Sequence, residues 1–131
     1  MKQKPEKIIY ENQEEIHDRV LDFVKSILPK EVTEAYLWGS TVERKFGKYS
    51  EKFGSHEGSD IDVIVIIPKE KIPHCWKYLN TQKEWWYLYR GGKIEINGVI
   101  HRVDLIVVKE GKGEYAKNLI KEKNWRVERI K

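Results

Sequence analysis

Three of the five aspartates in this sequence, Asp60, Asp62 and Asp104, fall at or inside its most apolar stretches, where a strand disfavours Asp. Asp60 and Asp62 are two apart at the head of the run Ile61–Ile67, and side chains two apart on a strand leave the same face. Two carboxylates held that close repel each other, and burial makes their charged forms costlier still. A bound divalent cation removes both penalties. Hard oxygen ligands with no His or Cys beside them favour Mg²⁺ or Mn²⁺ over zinc. Asp104, inside Val99–Val108, completes the cluster if its strand neighbours Ile61–Ile67.

Gly39-Ser40 supplies a second kind of chemistry. It follows the strand-like run Val32–Trp38, and Gly at a strand end lets backbone approach a ligand closely. A helical turn starting at Ser40 would add free N–H groups and a hydroxyl, a setting suited to phosphate. A strand followed by Gly-Ser is also a common turn, so the pair carries weight only through its order before Gly58-Ser59-Asp60-Ile61-Asp62.

The elements that must position these residues are legible in outline. Met1–Ile9 reads as a polar leader, and Asn12 with Glu15 has the spacing of a capping box. Ile16, Val20, Phe23, Val24 and Ile27 recur at helical spacing up to Pro29. Residues 41–59 read as an irregular stretch with Gly47, Gly54 and Gly58, too long for a mere connector. Ile61–Ile67 is too apolar to face water on either side, as a central strand requires. His74–Arg90 is expected to be helical, with Trp85–Tyr89 able to form a strand instead, and its aromatic residues are read as packing. Asn97-Gly98 between Lys93–Ile96 and Val99–Val108 is a strong two-residue hairpin signal. Glu114–Lys123 reads as a helix and Trp125–Ile130 as a last short strand. The expected class is α/β, with a mixed β-sheet packed against helices.

Length and composition narrow the setting. The 131 residues suit one domain, taken as 1–131, and 40% hydrophobic content excludes disorder. No apolar run is long enough for a membrane-spanning helix. With no apolar segment behind its charged first residues, the chain is expected to be cytoplasmic. A single cysteine, Cys75, excludes an internal disulfide and reads as a small core residue. The net charge of +4 lies in Lys109–Lys131, a solvated basic tail. The Lys and Glu surplus is of the hyperthermophile kind. His56 and His101 read as ordinary polar residues, since neither has metal-ligand spacing to another His.

Leu37-Trp38-Gly39-Ser40, then Gly58-Ser59-Asp60-Ile61-Asp62-Val63-Ile64-Val65, then Val103-Asp104-Leu105-Ile106-Val107 together resemble the DNA polymerase β-type nucleotidyltransferase superfamily. Within it the sequence is most similar to the small prokaryotic minimal nucleotidyltransferases. The resemblance implies a polymerase-β palm-like nucleotidyltransferase fold, with two Mg²⁺ or Mn²⁺ ions held by Asp60, Asp62 and Asp104. It gives the phosphates of an NTP, ATP above all, to Gly39 and Ser40, with Arg44 as a further ligand. Such enzymes move a nucleoside monophosphate to an acceptor hydroxyl. Two metals roughly 3.5–4 Å apart clamp the attacking oxygen and the pyrophosphate leaving group, and Asp104 is placed to help take the proton. The resemblance also implies a small helical HEPN-domain partner, in some systems a toxin RNase, as the protein acceptor. A nucleic-acid acceptor is not favoured, and a homo-oligomer is left open. Two other readings stand beside it: a non-catalytic nucleotide- or partner-binding subunit that retains the palm, and a metal nuclease.

Overall fold

The apolar runs fold into a six-stranded mixed sheet with a helix on each face, and a separate three-stranded sheet stands beside it. The computed structural model describes residues 5–53 and 56–131. In chain order the elements are β1 (Lys7–Ile9), α1 (Gln13–Ile27), β2 (Glu34–Trp38), β3 (Gly47–Phe53), β4 (His56–Gly58) and β5 (Ile61–Ile66). There follow β6 (Lys77–Gln82), β7 (Trp86–Ile96), β8 (Val99–Val108), α2 (Gly113–Glu122) and β9 (Val127–Arg129). The large sheet has the order β6-β7-β8-β5-β2-β9, the small one β1-β3-β4. Only β5 and β8 pair in parallel among the described strands. No helix among the described residues is long and apolar enough to cross a membrane.

Strand β5 shows why the pattern works. Ile61, Val63 and Val65 point to the face covered by α1, where Ile16, Val20 and Val24 are buried. Ile64 and Ile66 point to the other face, against Ala116, Leu119 and Ile120 of α2. A strand covered on both faces has to be apolar throughout. Asp62, with the parity of Ile64, therefore lies on the α2 face, one step beyond where the helix packs.

The helix α1, the strands β2 and β5, and the hairpin β7–β8 follow the expectations. The turn Asn97-Gly98 has φ of 51° and 79°, the left-handed pair that a two-residue hairpin demands. Several expectations are corrected. His74–Arg90 is not helical: Lys77–Gln82 and Trp86 onward are strands, and β7 pairs with β8 from Trp86↔Val108 to Ile96↔Val99. Ten residues of β8 needed a partner on that side, and the aromatic run, with its high strand propensity, supplied it. The alternative strand at Trp85–Tyr89 is the one that forms. Its aromatics do pack: Tyr78 lies with ring centroids 5.4 Å from Tyr89 and 6.0 Å from Tyr87.

The stretch 41–59 is not irregular, since it forms β3 and β4, and the polar leader contributes β1 to the same small sheet. Asn12 precedes α1 without a side-chain bond to the helix backbone, so the capping box does not close; its Nδ2 donates to Glu15 Oε2 at 3.4 Å instead. Cys75 is exposed rather than in the core. It falls in the loop ahead of β6, where Trp76 takes the buried position.

Candidate nucleotide and metal site

One row of directly paired residues crosses five strands of the large sheet. Trp38 of β2 is opposite Asp62 of β5, Asp62 is opposite Asp104 of β8, Asp104 is opposite Arg90 of β7, and Arg90 is opposite Lys77 of β6. Paired residues share a face, so the row reads aromatic, acid, acid, base, base. Asp60, two residues before Asp62, has the same parity.

Asp62 is strongly perturbed in this row. Burial first, then the charges of Asp104 and Asp60, push its carboxyl up to about 7, partly offset by Lys7. These are the costs expected of like charges crowded in a partly dry site. The Gly39 backbone crosses directly above. A Cβ there would stand 2.9 Å from Asp62 Oδ2, and Gly39 has φ of +82°, so both space and conformation require Gly. The turn it opens, Gly39–Thr41, is a single 3₁₀ turn rather than an α-helix. The helix-terminus contribution read from the sequence therefore reduces to the close backbone approach and the Ser40 hydroxyl.

Ser40, Ser59, Asp60 and Asp62 line a cleft of about 200 Å³ together with Lys7 and Tyr49. The last two come from the small sheet, where they pair as Lys7↔Tyr49. The leader and the stretch 41–59 thus build a wall of the site. Arg44 is turned elsewhere: its Nε donates to Glu14 Oε1 at 2.8 Å and its Nη1 to the carbonyls of Val42 and Thr41 at 3.1 and 3.3 Å. With φ of 59° it ends the turn facing α1. The structure brings together Gly39, Ser40, Asp60, Asp62 and Asp104, and leaves Arg44 outside that group.

His101 braces the floor. It is fully buried, its Nδ1 donates to the Ser59 carbonyl at 2.8 Å, and its Nε2 accepts from the Tyr10 hydroxyl at 3.0 Å. Burial lowers the pKa of the imidazole and raises that of the Tyr10 phenol, so both groups stay neutral and these donor and acceptor roles hold. Gly58 lies against the ring, where a Cβ would come within 2.3 Å of Cε1. The segment entering Asp60 is thereby fixed from below. The side chain of His56 lies outside the described residues, as do Gly54 and Ser55.

Reasoning from the sequence missed Lys7, Tyr49 and Arg90. Arg90 donates from Nε and Nη2 to Asp104 Oδ1, both at 3.2 Å, and so gives that carboxylate a counter-charge. Among the described residues no three Asp, Glu, His or Cys side chains converge closely enough to hold an ion. The donor chemistry nonetheless fits a hard divalent cation: carboxylate oxygens on adjacent strands of one face, with Asp62 held up to about 7 by burial and its acidic neighbours. Set against models of known protein families and against curated proteins, the chain matches none.

Proposed function

We propose that the protein is a metal-dependent nucleotidyltransferase that moves a nucleoside monophosphate from an NTP, with ATP as the donor, to an acceptor hydroxyl. The observation that carries this reading is Asp62 directly opposite Asp104 on the parallel pair, beneath the backbone of Gly39. Asp60, Asp62 and Asp104 would hold Mg²⁺ or Mn²⁺. Bound there, the metal supplies Lewis-acid charge against the triphosphate and acidifies the acceptor hydroxyl. Gly39 leaves room for a phosphate beside Asp62, the Ser40 hydroxyl donates to it, and Lys7 adds positive charge from the cleft wall. The acceptor oxygen forms a bond to the α-phosphorus as the bond to the bridging oxygen breaks. Asp104 takes the hydroxyl proton, and pyrophosphate leaves with the electron pair.

The polymerase-β likeness adds a hydroxyl on a helical HEPN-type partner protein as the acceptor. A second reading, a non-catalytic nucleotide-binding subunit, is favoured by the Arg90–Asp104 ion pair, which would keep Asp104 from accepting a proton. The deciding assay incubates the purified chain with Mg²⁺ and α-labelled ATP, with and without the partner protein, alongside tRNA and single-stranded RNA. Mg²⁺-dependent label on an acceptor, lost in Asp62→Asn, supports transfer. ATP binding without any labelled product supports the silent subunit, and absence of Mg²⁺-dependent ATP binding sinks both.

A further inference from the structure

A second concavity lies at the opposite end of β5 from Asp62 and on the opposite face. About 16 Å further along the strand direction, Ile67 follows β5 with the parity of Val65, on the α1 side. Ile67 and Val107 are buried and Ile72 is half-buried, and together they floor a pocket of about 250 Å³. Tyr87, paired with Val107, contributes an aromatic ring to the same pocket. Two ammoniums reach this ring: Lys109 Nζ lies 5.0 Å and Lys69 Nζ 5.5 Å from its centroid. Neither lysine has a carboxylate at ion-pair distance among the described residues. Glu110 is the one acid among the described lining residues, so one positive charge is left over. Backbone bonds hold both lysines in place. Lys69 opens a 3₁₀ turn in which Lys71 N–H donates to the Pro68 carbonyl at 2.9 Å, and Lys109 N–H donates to the Trp85 carbonyl at 2.8 Å.

We propose that this pocket binds a small aromatic monocarboxylate, its ring on the Ile67, Ile72 and Val107 floor beside Tyr87 and its carboxylate between Lys69 and Lys109. Size, lining and charge each contribute. At about 250 Å³ the pocket falls just short of the roughly 300–1,000 Å³ that hold drug-sized ligands, so one or two rings fill it. An apolar floor with a few polar groups converging at one side is the usual make-up of a small-molecule site. A planar ring can meet the Tyr87 ring offset or edge-on. Two ammoniums drawn to one ring repel each other, and an anion between them removes that cost. Glu110 disfavours a second negative charge, which sets a carboxylate ahead of a phosphate dianion. The pocket shares no lining residue with the cleft at Asp62, and the proposal rests on nothing in the transferase reading.

The probe is 4-fluorobenzoate, followed by the broadening of its ¹⁹F line as the full chain is titrated in. Saturable binding is expected, with the neutral 4-fluorobenzamide weaker by about tenfold, the worth of a charge-assisted hydrogen bond. Lys69→Gln with Lys109→Gln should cost the benzoate a similar factor at unchanged melting temperature. Lys71→Gln with Lys112→Gln removes the same charge elsewhere, Lys112 lying over the exposed Tyr115 ring at 5.5 Å, and should leave the affinity unchanged. Ile72→Trp fills the pocket and should abolish binding. Equal affinity for the amide, an equal loss in the control pair, or no saturable binding would overturn the site. So would displacement of the probe by inorganic phosphate at equal concentration, which would mean that charge alone holds it. Displacement by Mg·ATP would move the probe to the cleft at Asp62 and overturn the proposal as well, whereas binding retained beside Mg·ATP supports a separate site. Mg²⁺-dependent ATP binding is measured independently, so failure of this pocket and failure of the transferase reading are told apart.

Discussion

Asp62 and Asp104 lie directly opposite each other across the parallel pair β5–β8, on the face that α2 leaves uncovered at that end. Two carboxylates in that relation store electrostatic cost in the unliganded chain. The positive groups around them, Lys7 on one side and Arg90 on the other, offset only part of it.

That cost has a pH signature. The Asp62 carboxyl is raised from 3.8 to about 7 in the fold. Between those values the native chain keeps a proton that the unfolded chain releases, so stability falls as pH rises from about 4 to 7 and is level above. A rise of that size corresponds to about 4 kcal/mol as an upper figure. Asp62→Asn should therefore be more stable than the parent in the absence of metal, by an advantage that grows across that window. Chemical denaturation at pH 4.5, 6 and 8 checks it; a constant difference at all three would show that Asp62 is not the titrating group.

Gly39→Ala adds a methyl group against Asp62 Oδ2 at a backbone φ of +82°. Gly98→Ala meets a similar φ of +79° in open space. The hairpin variant should lose about 1 kcal/mol from conformation alone. The Gly39 variant should lose about 2–3 kcal/mol and most of its ATP affinity. Equal losses in the two, with ATP binding kept, would remove Gly39 from the site.

The three aspartates should divide their roles. Asp60→Asn and Asp62→Asn are expected to abolish Mg²⁺-dependent ATP binding while the fold survives. Asp104→Asn should keep much of that affinity and lose transfer, because the donor-side groups line the cleft with Asp60 and Asp62. Calorimetric titration of Mg·ATP into each variant separates them, and an equal loss in all three would contradict the division.

His101→Ala removes a buried ring, strands the Ser59 carbonyl and leaves the Tyr10 hydroxyl without its acceptor. A loss of about 3–4 kcal/mol is expected from cavity and unmade hydrogen bonds together. His101→Phe fills the volume and should recover the cavity part only. Melting curves of both variants give the comparison; full recovery by Phe would mean that the hydrogen bonds contribute nothing.

The carboxylates were legible because three Asp in runs of Val, Ile and Leu break a strong local pattern. The same two-residue period gave the faces of β5 and β8. Gly39 was legible through its place after a strand, and the hairpin through Asn97-Gly98, since turn chemistry is set within a few residues. The region 74–90 was misread because helical and strand patterns overlap in a short aromatic run, and only the open edge of β8 decided between them. Arg44 was set apart from the site by Glu14, thirty residues earlier in the chain. Lys7 and Arg90 carried no signal of their own: a cation on a half-exposed strand looks like any solvated one. Their meaning comes from pairings across the chain, Lys7 with Tyr49 and Arg90 with Asp104. Local periodicity and turn chemistry lie in the sequence itself, whereas which charge faces which carboxylate depends on strand order and register, set by long-range packing.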